Sequence, residues 1–244
     1  MAFATWWRSD HLHKLPSLVG FYAGPTDDAA KLARLADLEI TEVQRRLHEG
    51  HRPYVAWLDS QPVAYGWVAT QTASIGELDL TITLPEADRY LWDFATLPAW
   101  RGRGIYPRLL QAILMQERTT VARFWIIAAP ENRASSTGIS KAGFTSIAHL
   151  SFQRQGQPGL APINSSMNNS MNNSMNNSMN NEVRLSAASA LLHVPVLQAD
   201  PNRALAPCWH CAIDARQGGR AVGEIACWPA PLRIDMQAAP CHCA

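Results

Sequence analysis

No cysteine precedes Cys208, no apolar run approaches the roughly 20 residues of a membrane-spanning helix, and no excess of one charge stands out, with Lys+Arg 21 against Asp+Glu 20. Each absence excludes something. A net charge of +1 lacks the footprint of a chain that neutralises several phosphates, so neither a nucleic-acid binder nor a membrane-surface binder is expected. The opening Met1-Ala-Phe-Ala-Thr-Trp-Trp-Arg-Ser-Asp10 has no basic stretch followed by an apolar one; no secretory signal is legible, and the expected compartment is the cytoplasm. With 47% apolar residues in 244, disorder throughout is excluded, and there is material for one sizeable core and an accessory piece.

The joint between the two lies at residues 166–181, four perfect copies of Ser-Met-Asn-Asn. One apolar side chain in four follows neither helical nor strand periodicity, so the tract reads as a disordered linker. The expected organisation is a main domain over residues 1–157, a low-complexity linker over 158–182 and a Cys-rich segment over 183–244. All five cysteines, Cys208, Cys211, Cys227, Cys241 and Cys243, lie in that last segment. An odd number in a chain without a secretory signal argues against a disulfide framework and for metal binding or free thiols.

Within the main domain the pattern alternates. Residues 27–49 carry Leu32, Leu35, Leu38, Ile40, Val43 and Leu47 at near-helical spacing, which predicts one amphipathic helix or two short ones. Residues 54–58 and 63–70, joined by Asp59-Ser-Gln-Pro62, read as a β-hairpin. Strands are expected at 78–84, 90–97, 121–128 and 144–152, and helices at 104–118 and 132–142. Locally paired strands crossed later by helices give an α/β or α+β class with a mixed sheet.

The strongest chemical signal is Thr96-Leu-Pro-Ala-Trp-Arg-Gly-Arg-Gly-Ile-Tyr-Pro107, where a strand ends, a Gly-rich turn follows and a helix starts. Gly102 and Gly104 lack Cβ atoms where a ligand must approach the backbone. The free first-turn amides and the positive end of the helix dipole suit a phosphate or pyrophosphate, and Arg101 and Arg103 add charge there. An ordinary turn with two solvated arginines is the alternative. Gly-x-x-x-x-Gly-Lys-Ser/Thr is absent, and Gly102-Arg-Gly104 has no third glycine at Pro107, so neither a P-loop nor a Rossmann fingerprint applies.

Arg101-Gly-Arg-Gly-Ile-Tyr106 resembles the Arg/Gln-x-x-Gly-x-Gly/Ala hallmark of the GNAT acetyltransferases, departing at Tyr106, where that family has a small residue. Asn132-Arg-Ala-Ser135 with Gly143-Phe144 is similar to a second motif of the family, and Asp93-Phe-Ala-Thr96 to its Asp-Leu-x-Val strand end. The resemblance covers about residues 20 to 152. It implies a mixed, mostly antiparallel central sheet flanked by helices, and an enzyme that transfers acetyl from acetyl-CoA to an amine. It also implies the cofactor contacts: pyrophosphate on the amides of Arg101, Gly102, Arg103, Gly104, Ile105 and Tyr106, pantetheine against backbone opened at Ala95, Thr96 and Leu97, and the cofactor arm on Asn132 and Ser135. The tyrosine that protonates the leaving thiolate in many members is matched here by Ile139.

That loss is tolerable, because a thiol of pKa about 8.5 leaves without strong acid help, and Ser135, Ser136 or a water are substitutes. An attacking amine of pKa about 10 does need a proton removed; Asp93 and Glu77 are the best-placed carboxylates, each otherwise a structural one. His11, His13, His48, His51 and His149 are weaker candidates, and the tryptophans read as core. Cys208, Cys211, Cys241 and Cys243 have the donors for a tetrahedral structural zinc site, with free cysteines in an unstructured tail as the alternative. The expected partner is a small-molecule or peptide amine, with a homodimer compatible; a non-catalytic acyl-CoA-binding module is the rival reading.

Overall fold

A computed structural model describes residues 1–76, 80–129, 132–152, 158–163 and 174–197. Along the chain, β1 (Ala2–Trp7) and β2 (Phe21–Pro25) precede α1 (Ala29–Ala36) and α2 (Ile40–His48). Next come β3 (Arg52–Leu58), β4 (Gln61–Ala69), β5 (Thr72–Ile75), β6 (Leu80–Thr83) and β7 (Asp88–Thr96). Then α3 (Ile105–Glu117), β8 (Arg123–Ala128), α4 (Arg133–Ala142), β9 (Thr145–Phe152), β10 (Pro158–Pro162) and α5 (Ser174–Leu192) follow. Eight strands form one sheet in the order β10-β9-β1-β8-β7-β4-β3-β2, antiparallel throughout except for the parallel pair β7 and β8. The class is mixed α/β with a mostly antiparallel sheet, as the resemblance implied.

Local chemistry explains several boundaries. Asp28 caps α1 by accepting from the Lys31 amide at 2.9 Å, and Asp37 ends it in the left-handed region at φ 54, so the apolar run of residues 27–49 breaks into two helices. The β3–β4 hairpin turns on Asp59 and Ser60, both at positive φ, which matches the twist of the flanking strands.

Side chains alternate between the two faces of the sheet. Ala4, Trp6, Ala56, Val68, Leu91 and Phe124 pack beneath α3 and α4, meeting Leu109, Leu110, Ile113, Leu114 and Ile139. The opposite face carries two separate clusters. α1 and α2 cover Val55, Tyr65 and Trp67 with Leu32 and Val43. α5 and the β5–β6 ribbon cover Phe3, Tyr90 and Trp125 with Ile82, Ala188, Leu191 and Leu192. Trp92 touches both clusters and so lies at their junction.

Residues 158–182, expected as a linker, contain two elements. Pro158–Pro162 is strand β10, paired antiparallel with β9, and α5 runs through the last two copies of the repeat. The cause lies downstream of the repeat. Leu185, Ala188, Leu191 and Leu192 recur at helical spacing and bury against the sheet, which stabilises a helix that continues back into the weak Ser-Met-Asn-Asn tract. Arg184 is ion-paired to Asp10 and lies 4.9 Å from the Trp7 ring. Residues 195–197 then run along β10, the Leu197 amide donating to the Leu160 carbonyl at 2.8 Å. Of the segment expected at 183–244, residues 183–197 thus belong to α5 and the stretch beside β10, while residues 198–244, with all five cysteines, lie outside the described residues; among the described residues no helix is long and apolar enough to cross a membrane.

A buried carboxylate ties the end of α3 to the sheet. Glu117, 4% exposed, accepts from Arg89 Nε at 3.0 Å, Arg52 Nη1 at 3.2 Å and the Tyr54 hydroxyl at 3.0 Å. Burial, with that carboxylate beside it, pushes the Tyr54 phenol up. Removing Glu117 strands the buried Arg89 charge, so Glu117→Ala is expected to lower the unfolding free energy by about 3–5 kcal/mol in urea denaturation; a loss below about 1 kcal/mol contradicts this account.

Candidate active site

The site begins where two parallel strands part. β7 and β8 pair only from Asp88 opposite Arg123 to Leu91 opposite Ile126. Asp88, 1% exposed, fixes the start of that pairing by accepting from Arg123 Nε at 2.7 Å and Trp125 Nε1 at 2.8 Å. Beyond Leu91, β7 bulges against β4: the register shifts between Tyr65 and Trp67, and Asp93 takes φ 49. Gly66 permits the bulge, because a Cβ there would meet the Phe94 ring at 2.0 Å. The β8-facing edge of residues 92–96, including Ala95 and Thr96, thus pairs with no strand among the described residues, and Leu97 is tied the other way, its amide donating to the Val63 carbonyl at 2.9 Å.

A 3-10 turn at Pro98–Trp100 reverses the chain toward α3. Arg101 Nε donates to the Thr96 carbonyl at 3.1 Å, closing the loop on its own strand. Gly102 at φ 77 and Gly104 at φ 69 are left-handed, the conformation that favours glycine. A Cβ on Gly102 would meet nothing within 4 Å, so the space in front of that residue is open. Among the described residues no hydrogen bond is donated by the amides of Gly102, Arg103, Gly104, Ile105 or Tyr106. Five donors at the positive end of a 13-residue helix form an anion cradle.

The arginines supply the rest. Arg103 stacks 4.8 Å from the Trp100 ring. Arg108 donates to the Gly104 carbonyl at 2.6 Å and the Pro16 carbonyl at 2.5 Å. Among the described ion pairs none neutralises Arg101, Arg103 or Arg108, so all three charges remain for an anion. A diphosphate fits this arrangement, and the slot between β7 and β8 gives an extended arm backbone to lie along.

α4 approaches the same slot. Asn132 caps it, its Oδ1 accepting from the Ser135 amide at 2.9 Å, so the side-chain NH2 is the part left to meet a ligand. Tyr106, expected to contribute only its amide, does more. Its ring leans on Gly138, where a Cβ would stand 2.4 Å from Cδ1, and its hydroxyl lies 3.3 Å from Ser135 Oγ. Burial pushes that phenol up to about 12, which keeps it a hydrogen-bond donor at neutral pH. Gly138 therefore makes room for the large residue at position 106, and Ile139, 3% exposed, is part of the core.

Asp93 faces α2. Arg46 Nη1 donates to Asp93 Oδ2 at 2.5 Å, while the guanidinium lies 4.6 Å from the Trp92 ring and 5.1 Å from the Trp67 ring. Burial and the Asp93 carboxylate hold the Tyr65 phenol above its usual range. Glu77 lies outside the described residues, as do Cys208, Cys211, Cys241 and Cys243. Among the described histidines, His51 approaches this region, its ring 5.1 Å from Trp92. Arg46 was invisible to sequence reading: it lies on α2 among other charged residues, and its partner is 47 positions away.

No curated protein is similar enough to count as a match. Among solved structures, an aminoglycoside antibiotic 6'-N-acetyltransferase from Acinetobacter baumannii aligns at 17% identity and TM-score 0.42, covering 55% of this chain and 97% of that one. The aminoglycoside N-acetyltransferase AAC(6')-Iy, solved with a bisubstrate analogue, aligns at 14% identity and TM-score 0.43, with 55% and 97% covered. A GCN5-related N-acetyltransferase from Kribbella flavida gives 13% identity and TM-score 0.41, with 59% and 53% covered. Residues 17–144 match the acetyltransferase (GNAT) family, a span that takes in α1 through α4, the parted strands and the amide cradle. With more than half of its length inside that match, the chain belongs to the GNAT acetyltransferase family.

Proposed function

We propose that this enzyme moves acetyl from acetyl-CoA to a primary amine by direct attack, with no acyl-enzyme intermediate. The observation that supports this reading is the row of uncommitted amides from Gly102 to Tyr106 beside the open edge of β7. Those amides, with Arg101, Arg103 and Arg108, would hold the pyrophosphate. Ala95, Thr96 and Leu97 would lie along the pantetheine, and the Asn132 side chain and Ser135 would border it. Bound acetyl-CoA supplies an activated thioester.

In the transfer the amine nitrogen forms a bond to the carbonyl carbon, the carbon–sulfur bond breaks, and its electron pair goes to sulfur. The surplus proton of the amine passes to Asp93, whose side chain is 33% exposed. Glu77 is the second carboxylate assigned to this task. At the leaving side, the Ser135 and Tyr106 hydroxyls donate hydrogen bonds to the thiolate. Proton transfer from a phenol at about 12 to a thiolate of pKa about 8.5 is uphill by several thousandfold, so donation of a hydrogen bond is the role that fits. Outside the described residues, Cys208, Cys211, Cys241 and Cys243 are proposed as a structural zinc site on their spacing alone; about one zinc per chain in elemental analysis is the outcome that supports it.

Thiol release with a panel of primary amines should be acceptor-dependent, and Asp93→Asn should lower kcat by about 10²-fold or more while leaving the KM for acetyl-CoA near the parent value. Cofactor binding without turnover on any acceptor overturns the enzymatic reading in favour of a sensor. Gly102→Val, which puts a side chain into the open space before the cradle and strains the left-handed backbone there, should raise the KM for acetyl-CoA at least about tenfold; an unchanged KM contradicts the pyrophosphate assignment.

A further inference from the structure

We propose that Arg46 is a positioning residue that holds Asp93 with one carboxylate oxygen presented to the acceptor amine. This rests on the reading of Asp93 given above.

Arg46 is 9% exposed, and its guanidinium meets two carboxylates and two indole rings. Nη1 donates to Asp93 Oδ2 at 2.5 Å, Nε donates to Glu42 Oε1 at 2.7 Å, and Cζ lies 4.6 Å from the Trp92 ring centroid and 5.1 Å from that of its neighbour Trp67. A rigid fork held by Glu42 and Asp93 over two neighbouring indoles has little freedom to rotate, unlike a lysine ammonium on a flexible stem. Glu42 is itself held by Arg45 and Arg46, which keep its carboxyl down at about 2. The guanidinium is therefore fixed before Asp93 is considered.

Asp93 needs such a partner. It sits at φ 49, a conformation unfavourable for a residue with a side chain, at the point where β7 departs from regular pairing with β4. A short acidic side chain on a bulge has several rotamers open to it, and only some face the junction between the two clusters on this side of the sheet. Contact with Arg46 is through Oδ2 alone; among the described residues Oδ1 makes no hydrogen bond. The single-point pairing thus orients the carboxylate and leaves one oxygen for the nitrogen of the acceptor. The charged and titratable groups facing this point are Arg46 from α2, with Glu42 behind it, and Tyr65 from β4, whose phenol stays protonated.

α2 thereby sets the geometry of a group on β7. Arg46→Lys keeps the charge but cannot span Glu42 and Asp93 as a planar fork, whereas Arg46→Gln removes the charge.

Steady-state kinetics on Arg46→Lys, Arg46→Gln, Asp93→Asn and the Asp93→Asn/Arg46→Gln double variant test this, with KM for acetyl-CoA and melting temperature measured alongside. The expected result is a kcat about tenfold lower in Arg46→Gln, a smaller loss in Arg46→Lys, and KM for acetyl-CoA within about twofold of the parent. The double variant should be no slower than Asp93→Asn, because a positioning residue has nothing left to position. Arg46→Gln turning over at the parent rate, while Asp93→Asn is slow, overturns the role of Arg46 and leaves Asp93 in place. Losses that multiply in the double variant overturn it equally. Full activity in Asp93→Asn overturns the underlying reading itself. If Arg46→Gln does not fold, Arg46→Lys and its double with Asp93→Asn decide between the same outcomes.

Discussion

The separation of β7 from β8 after four paired residues is the constraint on which the rest of the site depends. A parallel pair held at one end by Asp88 and released at the other leaves backbone groups in the middle of a sheet that no strand among the described residues satisfies. Such groups either take up water or a ligand. Everything that frames the opening follows from the same departure: the bulge that turns Asp93 toward α2, the Phe94 ring that fills the place of a side chain on Gly66, and the turn that delivers five free amides at the start of α3. The site is built from backbone first and side chains second.

This explains which parts of it were legible in the sequence. Gly102 and Gly104 announce positive φ, Pro107 announces a helix start, and both are properties of a few adjacent residues. The central hairpin was found for the same reason. Residues 27–49 read as one helix or two, and the break that decides for two is the left-handed turn at Asp37 within the run. By contrast, the Arg46 to Asp93 pair depends on a crossing of α2 over β7 that no spacing in the sequence encodes. β1 was missed although it lies inside the sheet between β9 and β8, because an apolar stretch of six residues at the start of the sequence has no preceding turn to mark it. The helix in the repeat tract was missed because its stability comes from burial of Leu185, Ala188, Leu191 and Leu192 under the sheet, not from the Ser-Met-Asn-Asn copies themselves.

The departures from the family pattern are linked to one another in space. A small residue gives way to Tyr106 on α3, and the residue it leans on across the gap is Gly138, with no Cβ to obstruct it. The position where many relatives carry a tyrosine is filled by Ile139, which has joined the core, while the phenol that remains near α4 comes from α3 and meets Ser135. On the other face, two clusters meet at Trp92.

The claim that carries most weight is that the amides of Gly102, Arg103, Gly104, Ile105 and Tyr106 receive the diphosphate of CoA. Titrating 15N-labelled protein with CoA and following those five amide protons tests it most directly. The account requires all five to move downfield together and saturate with one affinity, while amides at the far end of α3 stay in place. Saturable CoA binding that leaves these five signals unmoved would contradict it.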